Sequence, residues 1–347
     1  MRNVKLQRFL NKNMSKIVNI GIIGAGRIGH IHAKNLCTRI KESRVVAVAD
    51  KDERRARALA FECGKVRWYE DFEKMLEQND IEAVVICTDT SVHKKALINS
   101  AKKGKHIFCE KPIALTLEET DEALNVVEKE GVLLQVGFMR RFDPAIFSAK
   151  KEIDKGSIGE PILFKAISRD PQGPPLKYVQ VSGGLFVDSS IHDIDLARWF
   201  MESEVEEVYA EGKTLIYPEY KEYGDVDIAV TTLSFKNGRI GSIENLRKSG
   251  YGYDTRIEIV GSEGALSIGY LRHKGFFTLK KLKVNYDVVP SWQERFKEAF
   301  VKEMQHFVDC IINHTSPLVT GIDAKKALQI ALAATKSCKD RVPISLV

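Results

Sequence analysis

The sequence predicts an α/β parallel-sheet domain followed by an α+β domain with a large open antiparallel sheet. From residue 17 to about residue 137, short apolar runs alternate with helical patterns, which favours βαβ units and a parallel sheet. Beyond residue 138 several strand patterns follow one another without helices between them, which favours an antiparallel sheet. The length of 347 residues is consistent with about two domains.

Five apolar runs in the first half predict strands that are buried on both faces. These runs are Ile17–Ile23, Val45–Ala49, Ala83–Cys87, His106–Cys109 and Val132–Val136. Helical patterns lie between them, at Ile28–Ile40, Glu53–Cys63, Asp71–Gln78 and Ser91–Lys102. A further helix is predicted after Thr116, which starts a capping-box spacing, and Gly131 is its predicted stop.

The second half predicts a sheet framed by helices. The predicted strands are Ile162–Ser168, Val205–Thr214, Asp227–Phe235, Ile240–Leu246, Thr255–Gly261 and Ala265–Ile268. The dipeptides Asn237-Gly238 and Glu263-Gly264 separate paired runs as hairpin turns do. The predicted helices are Ala145–Asp154, Ser190–Met201, Trp292–Ile312 and Asp323–Lys339.

A glycine-rich turn in the first half predicts a dinucleotide site. The segment Gly24-Ala25-Gly26-Arg27-Ile28-Gly29 follows an apolar strand and opens a helix, and Asp50 ends the next strand. This context is typical of the Rossmann fold: Gly24 allows the tight turn, Gly26 lets the backbone approach a pyrophosphate, and Gly29 permits close packing. The Asp50 carboxylate suits the ribose hydroxyls of NAD and repels the phosphate of NADP, although Arg54 and Arg55 lie near enough in sequence to soften that preference.

Composition excludes several classes of protein. Apolar residues make up 44% and charged residues 29%, which is ordinary for a globular chain and argues against disorder. The net charge of +6 is small and is not clustered, so we expect no nucleic-acid partner. No apolar run is long enough to predict a membrane span. The six cysteines form no C-x-x-C pair, and the histidines show no metal-ligand spacing, so we predict reduced thiols and no metal site.

The end of one predicted strand carries a lysine that suggests chemistry. Lys111 lies in Cys109-Glu110-Lys111-Pro112, at the carboxyl edge where open α/β sheets bind ligands. With the glycine turn, this segment resembles the Gfo/Idh/MocA oxidoreductase family, and the resemblance covers nearly the whole chain from Ile17. It rests on further segments in the same order: Asp50, Cys87–Thr90 with His93, Gly137–Asp143, and Gly183-Gly184 leading to Asp188–Asp195.

The resemblance implies NAD-dependent oxidation of a cyclic polyol, with myo-inositol converted to its 2-keto product as the first expectation. Lys111, Asp188 and His192 are the implied catalytic trio. A histidine has a pKa suited to taking the hydroxyl proton, a lysine favours the developing alkoxide, and a carboxylate can orient the imidazole. Asp188 precedes His192 by four residues, so it lies either on the same helical face or just before the helix, at its N-cap.

Further binding residues follow from the same resemblance. Thr88, His93, Glu110 and Lys111 are implied at the cofactor, beside Gly24, Gly26, Arg27, Ile28, Gly29 and Asp50. Arg140, Asp170, Asp195, Tyr251 and Tyr253 are implied at the substrate. Arg141 is equally well explained as a structural ion-pair partner, and the sequence does not choose between the two tyrosines.

One departure concerns substrate choice. Many inositol dehydrogenases of the family carry a His and an Asn where Ser168 and Asp170 stand. A carboxylate only accepts hydrogen bonds where an amide also donates, and such groups discriminate strongly between hydroxyl patterns. The alternatives are therefore another inositol isomer, a keto-inositol or a pyranose sugar, with NADP in place of NAD in one version. A redox-silent NAD-binding regulator is a further alternative from another class.

The predicted organisation has three parts. Residues 1–16 form an N-terminal extension, residues 17–137 the NAD-binding Rossmann domain, and residues 138–347 the α+β domain for substrate binding and oligomerisation. An open sheet needs covering. In the family it packs against a second copy, so the resemblance implies a homotetramer. The resemblance and the cysteines together predict a cytoplasmic location.

Overall fold

The computed structural model describes residues 16–269, 278–285 and 287–346. The predicted extension over residues 1–16 lies outside the described residues apart from Lys16. The chain divides into two compact units, each built from separated segments. The first unit comprises Met1–Glu110, Glu122–Gly137 and Phe300–Thr320, and the second comprises Lys111–Asp121, Phe138–Ala299 and Gly321–Val347. The predicted boundary at residue 137 would give two continuous domains, whereas each observed unit includes segments from both sides of that residue.

The first unit contains a six-stranded sheet in the order β3-β2-β1-β4-β5-β6, with every neighbouring pair parallel. Because its strands are apolar on both faces, they are buried almost throughout. The strands are β1 (Val18–Ile23), β2 (Ser43–Ala49), β3 (Arg67–Tyr69), β4 (Ala83–Ile86), β5 (His106–Glu110) and β6 (Leu134–Gly137). The short strand β3 was not predicted, since it has exposed residues and no apolar run.

Helices cover this sheet: α1 (Arg27–Thr38), α2 (Glu53–Glu62), α3 (Phe72–Leu76), α4 (Thr90–Lys102) and α5 (Leu117–Glu130). The side chain of Asp52 caps α2 and that of Asp71 caps α3. Thr116 accepts from the amide of Glu119 at 3.2 Å, as the capping-box spacing predicts. One apolar core joins the sheet to α1 and to the later part of a long helix that begins at Lys297.

The second unit contains a seven-stranded sheet in the order β12-β11-β7-β10-β9-β8-β15. The predicted α+β class is confirmed, with one difference: β7 and β10 run parallel while the other neighbours are antiparallel. The strands are β7 (Pro161–Arg169), β8 (Val205–Lys213), β9 (Ile228–Phe235), β10 (Ile240–Leu246), β11 (Asp254–Gly261), β12 (Ala265–Ile268) and β15 (Ile344–Ser345), and β13 (Thr278–Lys280) with β14 (Lys283–Asn285) forms a separate hairpin.

The helices of the second half are α6 (Pro144–Asp154), α7 (Leu176–Val179), α8 (Ile191–Met201), α9 (Trp292–Arg295), α10 (Lys297–Asn313) and α11 (Gly321–Asp340). A π-helical turn, Phe186–Ser190, directly precedes α8, and 3₁₀ turns occur at Met139–Phe142 and Pro218–Tyr223. The helix predicted over Trp292–Ile312 is interrupted at Phe296, which separates α9 from α10.

One face of the second sheet is exposed. Ile162, Val230 and Ile240 lie on neighbouring strands and are 48–52% exposed. Most of the residues next to them along each strand are buried. This alternation is typical of a sheet with one covered face. The homotetramer stays a prediction. No helix among the described residues has the length and apolar character needed to cross a membrane.

Candidate active site

The glycine turn after β1 has the geometry that the sequence predicts. Gly24 has a φ of +101°, and a Cβ there would lie 2.7 Å from the carbonyl oxygen of Cys87. A Cβ on Gly29 would lie 2.0 Å from the Gly24 carbonyl oxygen, so α1 begins tightly against the turn. Gly26 differs, because a Cβ there would meet nothing within 4 Å. Its backbone therefore faces open space at the N-terminus of α1, where free amides favour a phosphate.

Two backbone amides, one of them in this turn, donate hydrogen bonds to the Asp50 carboxylate. Its Oδ2 accepts from the amide of Ala25 at 2.7 Å, and its Oδ1 accepts from the amide of Asp52 at 2.8 Å. The carboxylate is thereby held beside the glycine turn, as its position after β2 predicts. Arg54 and Arg55 lie in the first turn of α2 with exposed side chains.

The loop after β4 supplies a buried hydroxyl, that of Thr88. Thr88 Oγ1 is buried, and no hydrogen bond to it is formed by any described residue. His93 is buried and forms a hydrogen bond with this loop, its Nε2 lying 2.9 Å from the Thr88 carbonyl oxygen. An unsatisfied buried hydroxyl calls for a ligand or a water. Together with the open face of Gly26, it fits a dinucleotide.

The other residues implied at the cofactor are distributed around the same sheet edge. Arg27 is exposed and Ile28 half-buried in the first turn of α1. Glu110 ends β5 and its Oε1 lies 2.8 Å from Nε2 of His32, a buried residue that sequence reasoning missed. The binding roles of these residues stay predictions.

In the second unit, Lys111 meets Asp188 directly. Lys111 Nζ donates to the backbone carbonyl oxygen of Asp188 at 2.5 Å and lies 3.5 Å from its Oδ1. The Lys111–Pro112 peptide bond is cis. Both side chains are largely buried, at 13% and 15% exposed. Burial alone would raise the pKa of Asp188, but Lys111 and Arg247 outweigh it and hold that pKa below its ordinary value.

Asp188 does not orient His192 by a hydrogen bond, which corrects the sequence prediction. Its Oδ1 accepts from the Tyr178 hydroxyl at 2.8 Å and its Oδ2 from Arg247 at 2.9 Å. His192 Nδ1 is buried without a partner among the described residues. The reason is that both oxygens of the Asp188 carboxylate already accept hydrogen bonds from other side chains.

His192 is held in a neutral form by its surroundings. It is 8% exposed, and the ring of Phe138 contacts it edge-on at 5.7 Å between centroids. Burial lowers the pKa of His192 well below its usual range, and the charges of Lys111 and Arg140 lower it further. A neutral imidazole beside a lysine is competent to accept a proton from a hydroxyl.

Arg140 lies at the centre of a buried polar cluster. Its Nη1 donates to Oδ1 of Asp193 at 2.5 Å and to Oγ of Ser168 at 3.0 Å, and its Nη2 lies 3.5 Å from the hydroxyl of Tyr253. Asn245 donates to the other oxygen of Asp193 at 3.1 Å. Sequence reasoning missed Asp193, although it directly follows His192.

The structure distinguishes the two tyrosines. Tyr253 is 5% exposed and lies against Arg140, whereas Tyr251 is 40% exposed. The Tyr251 hydroxyl donates to Asp254 at 2.8 Å and accepts from Arg169 at 2.9 Å. Of the pair, Tyr253 is therefore grouped with the other candidate residues.

Asp170 and Asp195 have different environments. Burial raises the pKa of Asp170 to about 6, with Arg247 opposing this and Asp188 adding to it. Asp195 is buried, and Arg141 donates to both of its oxygens at 2.8 and 2.6 Å. Arg141 is thus the ion-pair partner that one sequence alternative gave. This arrangement does not support the contact between Asp195 and substrate, which stays a prediction.

Arg247 and Tyr178 are site residues that sequence reasoning missed. Arg247 directly follows β10, is buried, and reaches Asp188 and Asp225. The sequence feature that could have revealed Arg247 is its position at the end of an amphipathic strand. Tyr178 lies in the four-residue helix α7, where nothing in the sequence marks it. Among the described residues no group of His, Cys, Asp and Glu side chains forms a metal site.

Comparisons with known proteins agree with the two-domain fold. Residues 18–138 match the model of an oxidoreductase family with an NAD-binding Rossmann fold, and residues 150–346 match the C-terminal alpha/beta domain of that family. The chain is 44% identical to a scyllo-inositol 2-dehydrogenase (NAD(+)) of Bacillus subtilis, over 96% of this chain and 97% of the relative. It is 38% identical to a myo-inositol 2-dehydrogenase of Thermotoga maritima, over 95% and 98%.

A solved structure is similar over the same extent. The scyllo-inositol dehydrogenase of Lactobacillus casei, crystallised with bound NAD(H) and scyllo-inositol, superposes with a TM-score of 0.90. The two sequences are 30% identical, and the match covers 95% of this chain and 99% of that one.

Proposed function

Because this chain belongs to the Gfo/Idh/MocA oxidoreductase family and has its NAD-binding Rossmann domain, we propose that it oxidises a secondary hydroxyl of an inositol to the ketone. The observation that carries the proposal is the ion pair between the largely buried side chains of Lys111 and Asp188. The same unit contains His192, whose lowered pKa keeps its imidazole neutral. Relatives named as inositol 2-dehydrogenases support the substrate class. Bound NAD supplies the acceptor for hydride, C4 of its nicotinamide ring.

His192 is the general base of this proposal. Its imidazole is neutral at physiological pH because burial and two nearby cations disfavour the imidazolium. It takes the proton of the reacting hydroxyl as hydride leaves the same carbon, so that a carbonyl forms.

Lys111 stabilises the alkoxide that forms as the proton leaves. Its ammonium is fixed by the Asp188 backbone carbonyl and by the Asp188 carboxylate. Charge that is already oriented in a site of low dielectric stabilises a developing anion more than water does. Asp188 in turn holds Lys111 in place and keeps the lysine charge balanced.

Arg140, Tyr253 and Asp170 are the proposed contacts of the remaining hydroxyls. Arg140 and Tyr253 are buried and linked to each other, and Asp170 acts on both electrostatically. A polyol needs such a mixture of donors and acceptors. Their convergence on the unit that carries His192 supports a substrate role.

The first expectation is myo-inositol, with scyllo-inositol as a second candidate. The relative named for scyllo-inositol is 44% identical to this chain and the one named for myo-inositol 38%, which favours testing both. The two isomers differ in configuration at a single carbon. Oxidation at that carbon removes the difference, so both would give the same 2-keto product.

The test is a panel of inositol isomers and pyranose sugars, assayed with NAD and with NADP by the absorbance of the reduced cofactor. Reduction of NAD by myo- or scyllo-inositol, in preference to the sugars, is the expected result. Turnover of pyranoses with NADP would move the substrate class to sugars. Binding of NAD without turnover of any polyol would identify a regulator and contradict the proposal.

The roles of the trio are tested by single variants. We expect K111M and H192A each to lower kcat by about two to four orders of magnitude, the usual contribution of a positioned acid, base or oxyanion group. Binding of NADH, followed by fluorescence, should be unchanged in H192A. K165M, which removes an exposed lysine of β7, is the matched control and should retain full activity. Near-normal turnover in K111M or H192A would refute its assigned role.

A further inference from the structure

A second group of buried titratable residues lies in the first unit, apart from the catalytic trio. Glu303 in α10 is fully buried, and neither oxygen of its carboxyl has a hydrogen-bond partner among the described residues. A buried ionised carboxylate without a partner is very costly, so such groups keep their proton. Each unsatisfied buried group in a native fold needs an explanation, and the mechanism above does not use Glu303.

The position of Glu303 is fixed by contacts on either side of it. Phe300 and Phe307 lie three residues before and four after Glu303, so all three share one helical face. Phe300 packs on His32 at 5.7 Å and Phe307 packs on Phe108 at 5.9 Å between ring centroids. Gln135 of β6 donates to the Glu303 carbonyl oxygen at 2.9 Å. This face of α10 therefore covers α1 and the ends of β5 and β6.

Glu110 and His32 complete the group on the sheet side. Glu110 pairs across the sheet with Gly137, and a Cβ at Gly137 would lie 2.8 Å from Glu110 Oε2, so the glycine leaves the space that this carboxylate uses. Glu110 Oε1 bonds to Nε2 of His32 at 2.8 Å, while Nδ1 of His32 has no partner among the described residues. The amide oxygen of Gln135 is likewise buried, and the described part of the chain offers it no hydrogen-bond partner.

The charges around Glu303 also favour its protonated form, as its burial does. Burial and the negative charge of Glu110 hold the pKa of Glu303 well above its ordinary value. The titratable groups that interact with it electrostatically are Glu110 of β5 and Cys87 after β4. The Cys87 thiol stays protonated, because burial, Glu110, Cys109 and Glu303 all raise its pKa.

The group lies at the sheet edge that carries the cofactor residues. Glu110 ends β5 just as Gly24 follows β1, and His32 belongs to the helix that opens at Gly26. Oxidised and reduced NAD differ there by one charge, since the nicotinamide ring is cationic in NAD⁺ and neutral in NADH. In a site of low dielectric that charge acts on nearby carboxyl groups far more strongly than it does in water.

We propose that Glu303, Glu110 and His32 form a buried proton-exchange site that releases a proton when NAD⁺ binds and retains it when NADH binds. This inference rests on the proposed NAD-linked function. The O–H bond of the Glu303 carboxyl breaks, and the proton passes to solvent. Within the group, the side chain of Glu110 is 14% exposed and that of His32 is 0% exposed. The site thereby couples the redox state of the bound cofactor to pH.

The consequence for binding has a definite sign. If NAD⁺ favours the ionised group, NAD⁺ affinity rises as pH rises through the range in which the group titrates. NADH affinity does not follow this rise. The ratio of the two dissociation constants is therefore pH-dependent in the free enzyme, before any substrate is present.

Two measurements test the proposal on the full chain. Calorimetric titrations of NAD⁺ and of NADH, each in two buffers with different ionisation enthalpies, count the protons released. We expect the wild type to release a measurable fraction of a proton more with NAD⁺ than with NADH. E303Q keeps the shape but has no proton to lose, so this excess should vanish. E298Q, which changes an exposed glutamate of the same helix, should behave as wild type.

Infrared difference spectroscopy of the wild type gives a readout that does not depend on a variant folding. The carbonyl band of an un-ionised carboxylic acid should be present in the free enzyme and with NADH, and should lose intensity with NAD⁺. A band insensitive to NAD⁺, or equal proton release in wild type and E303Q, would overturn the proposal. Failure of the wild type to bind either cofactor would instead overturn the proposed function, on which this inference depends.

Discussion

Arg247 donates from Nη1 to Oδ2 of Asp188 at 2.9 Å, and both side chains are withdrawn from solvent. The same guanidinium lies 3.6 Å from Asp225, so one buried cation serves two carboxylates. Asp188 in turn fixes Lys111. The charge of the proposed catalytic lysine is therefore balanced through a residue that itself depends on Arg247.

Replacing Arg247 by methionine should destabilise the fold markedly. The change leaves Asp188 and Asp225 without their shared cation, and breaking a buried pair costs about 3–5 kcal/mol of unfolding free energy. Denaturation by urea at neutral pH measures the loss. The control is R57M, which removes an exposed arginine paired with Glu53 at 2.5 Å and should cost no more than about 1 kcal/mol. Equal losses in the two variants would contradict the structural role of Arg247.

Asp170 should make polyol affinity pH-dependent. Burial raises its pKa to about 6, so it is protonated and able to donate below that pH, and accepts only above it. We expect the dissociation constant of the inositol, measured calorimetrically on the NADH complex, to change as pH passes through about 6. In D170N the amide donates at every pH, so its affinity should match that of the acidic wild type throughout. D340N, at an exposed position, is the control, and a transition that persists in D170N would exclude Asp170 as its source.

The fold was predictable where one residue type dictates local structure. Gly24 needs a positive φ, and the short apolar run before it forms the buried strand that the pattern predicts. The arrangement around Asp188 was not predictable, because a π-helical turn leaves no periodic signal in five residues. Long-range pairs such as Arg247 with Asp188 depend on sheet order, which the sequence does not reveal. Glu303 was hidden because its neighbours make an ordinary amphipathic helix.

Asp50 should determine the preference between NAD and NADP. Its carboxylate is held beside the glycine turn by the amides of Ala25 and Asp52. Charge-assisted hydrogen bonds to ribose hydroxyls are worth about 1.5–3 kcal/mol, so D50S should weaken NADH binding about ten- to a hundredfold. NADPH binding should weaken less or improve, since the repulsion of its phosphate is removed. Fluorescence titrations with both cofactors check this, and an equal loss for both would show that the variant only loosens the turn.

On the acidic side of the pH–rate profile, the rate should begin to fall only at an unusually low pH. Burial, then Lys111 and Arg140, lower the pKa of His192 well below the ordinary value of about 6.5, so this base stays unprotonated as pH falls. Removing the lysine charge in K111M should raise the pKa of His192, and K111R, which keeps the charge, should not. Because K111M turns over slowly, the measurement is NMR titration of labelled histidine, with the His192 signal assigned by its loss in H192N. A His192 pKa that is the same in wild type and K111M would show that the Lys111 charge does not contribute to it.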